Sequence, residues 1–313
     1  MNVSIFRWSK NSAEYGNSLK FYFKEEESKI IYEQFILNGL PIPNNIEFKD
    51  ITFNSLNIFW NFDKINNDNN EIKFQVEIKR QNEGEKFNKV YEGNKTNYSI
   101  NNLISFSNYE FRIRSVYKDL ISPWSEIKTI KTHLDSNILN NIPKENEYIQ
   151  KLLDWTNCKK LELLYRGTRD GTKPENFHNL CDNKGPTITL FKNEKGNIFG
   201  GYASISWTNK GSYKSAPDSF IFTLTNIHNT EPTKFTSKND KQEVYHESSK
   251  GPWFGGGRDF GIDGDFSSSK IYSNFPYTYI DSLGKGRSIF TGDFNNNNQY
   301  FKVIEVEVFK ISK

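Results

Sequence analysis

Cysteine, histidine and methionine are nearly missing from this chain of 313 residues, which holds two, four and one of them respectively. The cysteines, Cys158 and Cys181, could pair, but a secreted domain stapled by disulfides usually carries more. Scarce histidine leaves few catalytic bases and few metal ligands. No Cys-x-x-Cys pair occurs, and His246-Glu247-Ser248-Ser249-Lys250 has lysine where a zinc-binding helix needs its second histidine. His178 and Cys181 stand three apart on an expected helix and could touch one metal, yet two ligands do not make a site. No metal and no cofactor is expected.

Long apolar runs are lacking too. None could span a bilayer, and Met1 to Lys10 holds no apolar core of a secretion signal. The expectation is a cytoplasmic protein without membrane insertion, so the sequons at Asn94 and Asn97 carry little weight. Neither sign of charge dominates: 41 basic residues face 38 acidic ones, a net charge of +3. That balance argues against a nucleic-acid partner, which would need a clustered basic surface. Phosphate loops are missing as well. Gly255-Gly256-Gly257-Arg258 fits neither the dinucleotide spacing nor the P-loop, and Asp259-Phe260-Gly261 spells a kinase motif without its companions. Asp263-Gly264-Asp265 lacks the glycine and glutamate positions of a calcium loop, and no GxSxG elbow occurs. No catalytic residue is expected.

What the chain does have is aromatic side chains, 26 Phe, 16 Tyr and 6 Trp, enough for large rings to carry a β-rich core. Residues 1–40 read as an extension with one helix over Lys24 to Asn38, opened by Glu25, Glu26 and Glu27 at the positive end of its dipole. Ile31 and Phe35 share a face of it, and Gly39 with Pro41 stops it. It would either cover the next domain or bind a partner. Residues 41–134 change to short alternating strands at Leu56–Phe62, Ile72–Lys79, Tyr98–Ile100 and Tyr109–Tyr117. Clusters such as Asn66–Asn70 and Asn82–Gly84 separate them as turns. A β-sandwich follows.

Trp60 in mid-strand, Leu103 and Tyr109 six apart, and the closing Ser122-Pro123-Trp124-Ser125 resemble the fibronectin type III family. Ser105 and Ser107 replace the proline and threonine usual between the Leu and Tyr of that family's tyrosine corner.

Polar residues 135–144, with Pro143, read as a linker to a last domain at 145–313. A helix is expected over Glu145–Trp155, with Tyr148, Leu152 and Trp155 on one side, and a shorter one over Pro174–Cys181. Apolar runs at Leu161–Tyr165, Thr187–Phe191, Ile198–Trp207, Phe220–Leu224 and Phe301–Phe309 predict strands. The fold class is therefore mainly β, two successive antiparallel sandwiches, the second with a few flanking helices. Gly200-Gly201 within a strand signals a bulge or a close backbone approach.

The order of blocks in this half resembles the TLDc family. Leu164-Tyr165-Arg166 followed by Gly171 opens it, and Phe177 to Thr187 (FHNLCDNKGPT) is its most specific stretch. Phe199-Gly200-Gly201-Tyr202, Trp207, Asp218 to Leu224 and Gly251-Pro252-Trp253-Phe254-Gly255 follow in order. Asp259, Ile262 and the terminal Glu305 to Phe309 complete about 165 residues of likeness. The resemblance implies a non-enzymatic regulatory protein linked to oxidative-stress resistance. It also implies protein partners, the peripheral subunits of the vacuolar-type proton ATPase, and recruitment to organelle membranes through them.

Two surfaces are weighed on the residues themselves. The glycine-rich stretch with Trp253, Phe254, Arg258, Asp259 and Asp263 is a recognition edge or merely a turn-rich loop. Cys181 is a redox thiol or a buried, inert one. Its place near the end of a helix beside Asp182 disfavours a thiolate, while His178 and Lys184 would favour it. The remaining alternatives are a thiol peroxidase centred on Cys181 and an adhesive or scaffold module.

Overall fold

The computed structural model describes residues 39–63, 72–81, 84–140, 142–268, 270–294 and 299–312. The expected helix over Lys24 to Asn38, the Asn66–Asn70 turn and the Asn295–Asn298 run lie outside them. The chain divides into two compact units, one ending at Lys131, the other made of Thr132–Lys313 with Ile104–Phe106.

Among its described residues the first unit has eight strands: β1 (Asn44–Lys49), β2 (Leu56–Asn61), β3 (Lys73–Arg80), β4 (Asn88–Gly93), β5 (Asn97–Ile100), β6 (Asn108–Tyr117), β7 (Leu120–Ile121) and β8 (Lys128–Lys131). β1-β2-β5 form one antiparallel sheet; β4-β3-β6-β7 form the other, with β8 on β6. Trp60 is buried between them, edge-on to Phe74 and Tyr91 at ring distances of 5.6 and 6.0 Å. Along β6 every second residue from Tyr109 to Tyr117 points inward, as the period-two alternation predicts. The Ser125 and Ser122 hydroxyls accept the Ile113 and Ser115 amides at 2.9 and 3.0 Å, so the closing segment continues the ladder of β6.

The second unit opens with α1 (Glu145–Thr156) and β9 (Lys160–Arg166), then α2 (Gly167–Asp170), α3 (Pro174–Cys181), β10 (Thr187–Asn193) and β11 (Ile198–Ala203). β12 (Ser212–Lys214), β13 (Phe220–Thr225), β14 (Thr233–Thr236), β15 (Val244–His246), β16 (Lys250–Phe254), β17 (Phe260–Asp263) and β18 (Ile271–Tyr272) follow. α4 (Ser288–Thr291), β19 (Tyr300–Phe301) and β20 (Val303–Ser312) close it. Two six-stranded sheets result, in the orders β14-β13-β11-β10-β20-β9 and β12-β15-β16-β17-β18-β19.

Phe191, Phe199, Phe254, Phe260 and Phe290 fill the space between the sheets. The opposite face of the first sheet, with Leu190, Phe222 and Phe309, is covered by Ile149 and Leu152 of α1. A sheet buried on both faces reads as largely apolar runs, and those runs predict its strands well. Two expectations change at the ends. The strand expected over Phe301–Phe309 is two, β19 in the second sheet and β20 in the first, because the chain crosses between them at Lys302. The strand from Ile198 stops at Ala203. Trp207 lies beyond it, buried, with its indole N–H donating to Thr187 Oγ1 at 2.8 Å.

Residues 135–144, expected as a linker, are partly core. Ile138 and Leu139 are fully buried, with Leu134, against α1 and the first sheet. Their polar neighbours serve a buried ion network. Arg166 Nε meets Glu307 Oε1 at 2.7 Å and its Nη2 meets Asp135 Oδ1 at 2.8 Å. The Ser136 hydroxyl and the Asn137 amide donate to Glu307 at 2.6 and 2.7 Å. A stretch reads as polar when its polar atoms are needed inside to satisfy a buried carboxylate.

Gly200 and Gly201 answer to close approach. Pairing of β10 with β11 stays in regular register through both residues. A Cβ on Gly200 would lie 2.0 Å from the Thr189 carbonyl oxygen, and one on Gly201 would lie 2.5 Å from the Phe254 ring.

Candidate functional site

Helix α3 begins at Pro174, whose fixed φ suits a first turn, and carries His178 and Cys181 to its inner side. Cys181 is fully buried. Burial, then the Asp182 charge, push its thiol well above the usual range, so a thiolate is strongly disfavoured. His178 is committed at both ring nitrogens. Nδ1 faces Asp182 Oδ1 at 2.8 Å, and Nε2 lies 2.9 Å from the carbonyls of Glu247 and Lys250. It ties the helix to the turn between β15 and β16. Among the described residues no group of three or more His, Cys, Asp or Glu could hold a metal ion. Cys158 is also buried and unpaired. A thiol-specific chromogenic reagent should therefore label neither cysteine in the folded chain and both in denaturant; prompt native-state labelling lost in Cys181→Ser would show a reactive thiol.

The glycine-rich stretch forms the hairpin of β16 and β17. Phe254 points into the core, and Asp259 is buried beneath the turn, accepting the Tyr277 and Thr278 amides at 2.7 and 2.9 Å. Burial pushes its carboxyl up to about 6, against those backbone donors. Asp259 thus anchors the neighbouring segment. Trp253 is on the outer side of the sheet but only 6% exposed, because the Arg258 guanidinium stacks 4.0 Å above its ring. Arg258 and Asp263 keep side chains 22% and 38% exposed and bond to each other at 2.8 Å. Of the five residues weighed as a recognition edge, these two remain accessible, and Lys250 joins them on Asp263. Burial alone would raise the Asp263 carboxyl, yet Lys250 and Arg258 hold it below the usual carboxylate range.

Around this pair the outer face of the second sheet is aromatic. Tyr213 packs on Tyr245 at 4.6 Å and Tyr245 on Trp253 at 5.4 Å. Past Arg258 come Tyr272, 5.4 Å from its guanidinium, and Tyr300, 5.3 Å further on. The row crosses the sheet from β12 to β19, with the arginine filling the place over β17, where Gly261 has no side chain. Tyr213 and Tyr300, at its ends, are 40% and 52% exposed.

The TLDc domain model matches residues 133–312. The chain belongs to the TLDc domain family. A fibronectin type III domain model matches residues 41–131, ahead of the TLDc domain. Solved structures similar to this chain include the fibronectin type III domain of human fibronectin type III domain containing protein 3. That likeness has 21% identity over 31% of this chain and 91% of that one, with a TM-score of 0.29. The domain derived from human KIAA0970 protein has 19% identity over 40% and 92%, with a TM-score of 0.29. Domains A168-A170 of titin have 23% identity over 30% and 32%, with a TM-score of 0.27. No curated protein matches the chain.

Within the TLDc domain the signature residues hold the fold. Tyr165 donates to the Gly171 carbonyl at 2.7 Å, Phe177 packs edge-on to Trp207, and Glu305 accepts the Thr168 amide at 3.1 Å. The tyrosines of the outer face escape a sequence reading because β12, β15, β18 and β19 have only two or three residues each, too few to display alternation. The one signal available in β15, β18 and β19 was a tyrosine beside a buried neighbour.

Proposed function

We propose that this TLDc protein is a non-enzymatic regulator that acts by binding a protein partner. The observation that carries the reading is the contrast between two parts of the TLDc domain. Its candidate reactive groups, Cys181 and His178, are spent in packing and hydrogen bonds, while an arginine set among aromatic rings stays accessible. Tryptophan, tyrosine and arginine are the side chains that dominate protein–protein binding energy. The partners fitting the family's link to oxidative-stress resistance are peripheral subunits of the vacuolar-type proton ATPase, met in the cytoplasm and at the organelle membranes that carry it. The fibronectin type III module at 41–131 serves as a spacer or second platform. Among the described residues no helix is long and apolar enough to cross a membrane, so recruitment would run through the partner.

Affinity capture from cytosol with the full chain is expected to recover those subunits, and added protein to change proton pumping by purified vesicles. Recovery of unrelated proteins alone, with pumping unaltered, would refute the ATPase assignment.

A further inference from the structure

We propose that the outer face of the second TLDc sheet docks an acidic segment of a partner protein, with Arg258 receiving a carboxylate; this rests on the regulatory reading above. Three observations carry it. Arg258 bonds Asp263 through Nη2 and lies 4.0 Å above the Trp253 ring, which leaves the rest of its planar fork with no acceptor among the described residues. A pre-set guanidinium fork matches a carboxylate through two parallel hydrogen bonds.

The charge also has a sign. Lys250 and Arg258 share the single carboxylate of Asp263, so the middle of the aromatic row keeps one positive charge unneutralised. An acidic group complements it; a basic one is repelled.

The backbone gives the third observation. Arg258 sits at φ 61°, in the left-handed region where a non-glycine residue is strained, directly after three glycines that would occupy that conformation freely. Strained residues of this kind cluster at ligand sites. The guanidinium of this residue lies between Trp253 and Tyr272, 4.0 and 5.4 Å from their rings. On either side, Tyr213–Tyr245 and Tyr272–Tyr300 offer rings for the apolar side chains that flank the acid in such a segment. The Tyr213 ring is itself fixed by its hydroxyl, which donates to the Gly256 carbonyl at 2.7 Å.

The full chain tests this with a labelled random copolymer of Glu and Tyr, a Lys–Tyr copolymer as the charge-reversed probe, and a single-stranded RNA. Fluorescence anisotropy should show the Glu–Tyr copolymer bound and the Lys–Tyr copolymer at least about tenfold weaker, the worth of a charged hydrogen bond. Arg258→Lys keeps the charge, loses the fork and should weaken Glu–Tyr binding about tenfold. Arg258→Gly relieves the backbone strain, so its thermal midpoint should hold while binding falls at least as far. Equal affinity for both copolymers, undiminished binding by the two Arg258 variants, or stronger binding of RNA than of Glu–Tyr copolymer each overturns the proposal. If the Arg258→Gly chain captures the same cytosolic proteins as wild type, this face is not the dock and the regulatory reading survives. If the wild-type chain captures none, it is that reading that fails.

Discussion

A fragment starting at residue 145 should fail to fold, whereas one starting at 132 should melt cooperatively. The shorter fragment loses Leu134, Ile138 and Leu139, which lie buried on α1 and the first sheet. Burying an aliphatic side chain is worth about 1.5–3 kcal/mol. Together the three contribute on the order of 5 kcal/mol, comparable with the whole stability of many domains. The same cut removes Asp135 from Arg166, and the Ser136 hydroxyl and Asn137 amide from Glu307. A buried carboxylate losing two donors adds a further penalty of a few kcal/mol. Circular dichroism melts and dispersion of amide proton signals would separate the two fragments. A native-like, cooperatively melting 145–313 fragment would mean that the 132–144 segment is the dispensable linker its polarity suggests.

Arg166→Met should destabilise the TLDc domain by about 3–5 kcal/mol at neutral pH, since it leaves Glu307 buried without its cation. The loss should depend on pH in a direction the chemistry fixes. Burial already pushes the Glu307 carboxyl above its ordinary range, opposed by donors from Ser136, Arg166 and Asn137. Without Arg166 the folded state must hold Glu307 protonated, while the unfolded chain ionises it at its ordinary pKa. The native state then binds the extra proton, so stability falls as pH rises above that value. The deficit relative to wild type should therefore be smaller near about pH 5 than at about pH 7.5, changing by up to ~1.4 kcal/mol per pH unit. Urea unfolding of both proteins at the two pH values measures it. A pH-independent deficit would show that Arg166 acts through packing alone. Arg166→Met with Glu307→Leu should recover part of the loss, because replacing both partners leaves no unpaired charge.

The sequence by itself determined the two-module layout and the nature of each core. Period-two alternation in β6 marked a sheet with one wet face, and Phe220, Phe222 and Leu224 marked one buried face of a strand whose other face the structure buries too. Those patterns are local, because a strand's two faces are read directly from neighbouring residues. Motif order fixed the family for the same reason, each block being a short stretch with its own turn or core task.

Only the tertiary structure decided which side chains meet. The second sheet consists of strands too short to show a pattern, and its outer face gathers tyrosines from residues 213 to 300 through pairings that no local rule encodes. Trp253 and Asp259 looked like surface residues of a glycine loop, but one is capped by Arg258 and the other is drawn inward by the amides of Tyr277 and Thr278. The segment 135–144 looked like a linker because its composition is polar, and it is partly core because Glu307, some 170 residues away, needs those polar atoms. Polarity reports a residue's need for hydrogen bonds. Whether water or a distant strand meets that need is settled only when the chain has folded.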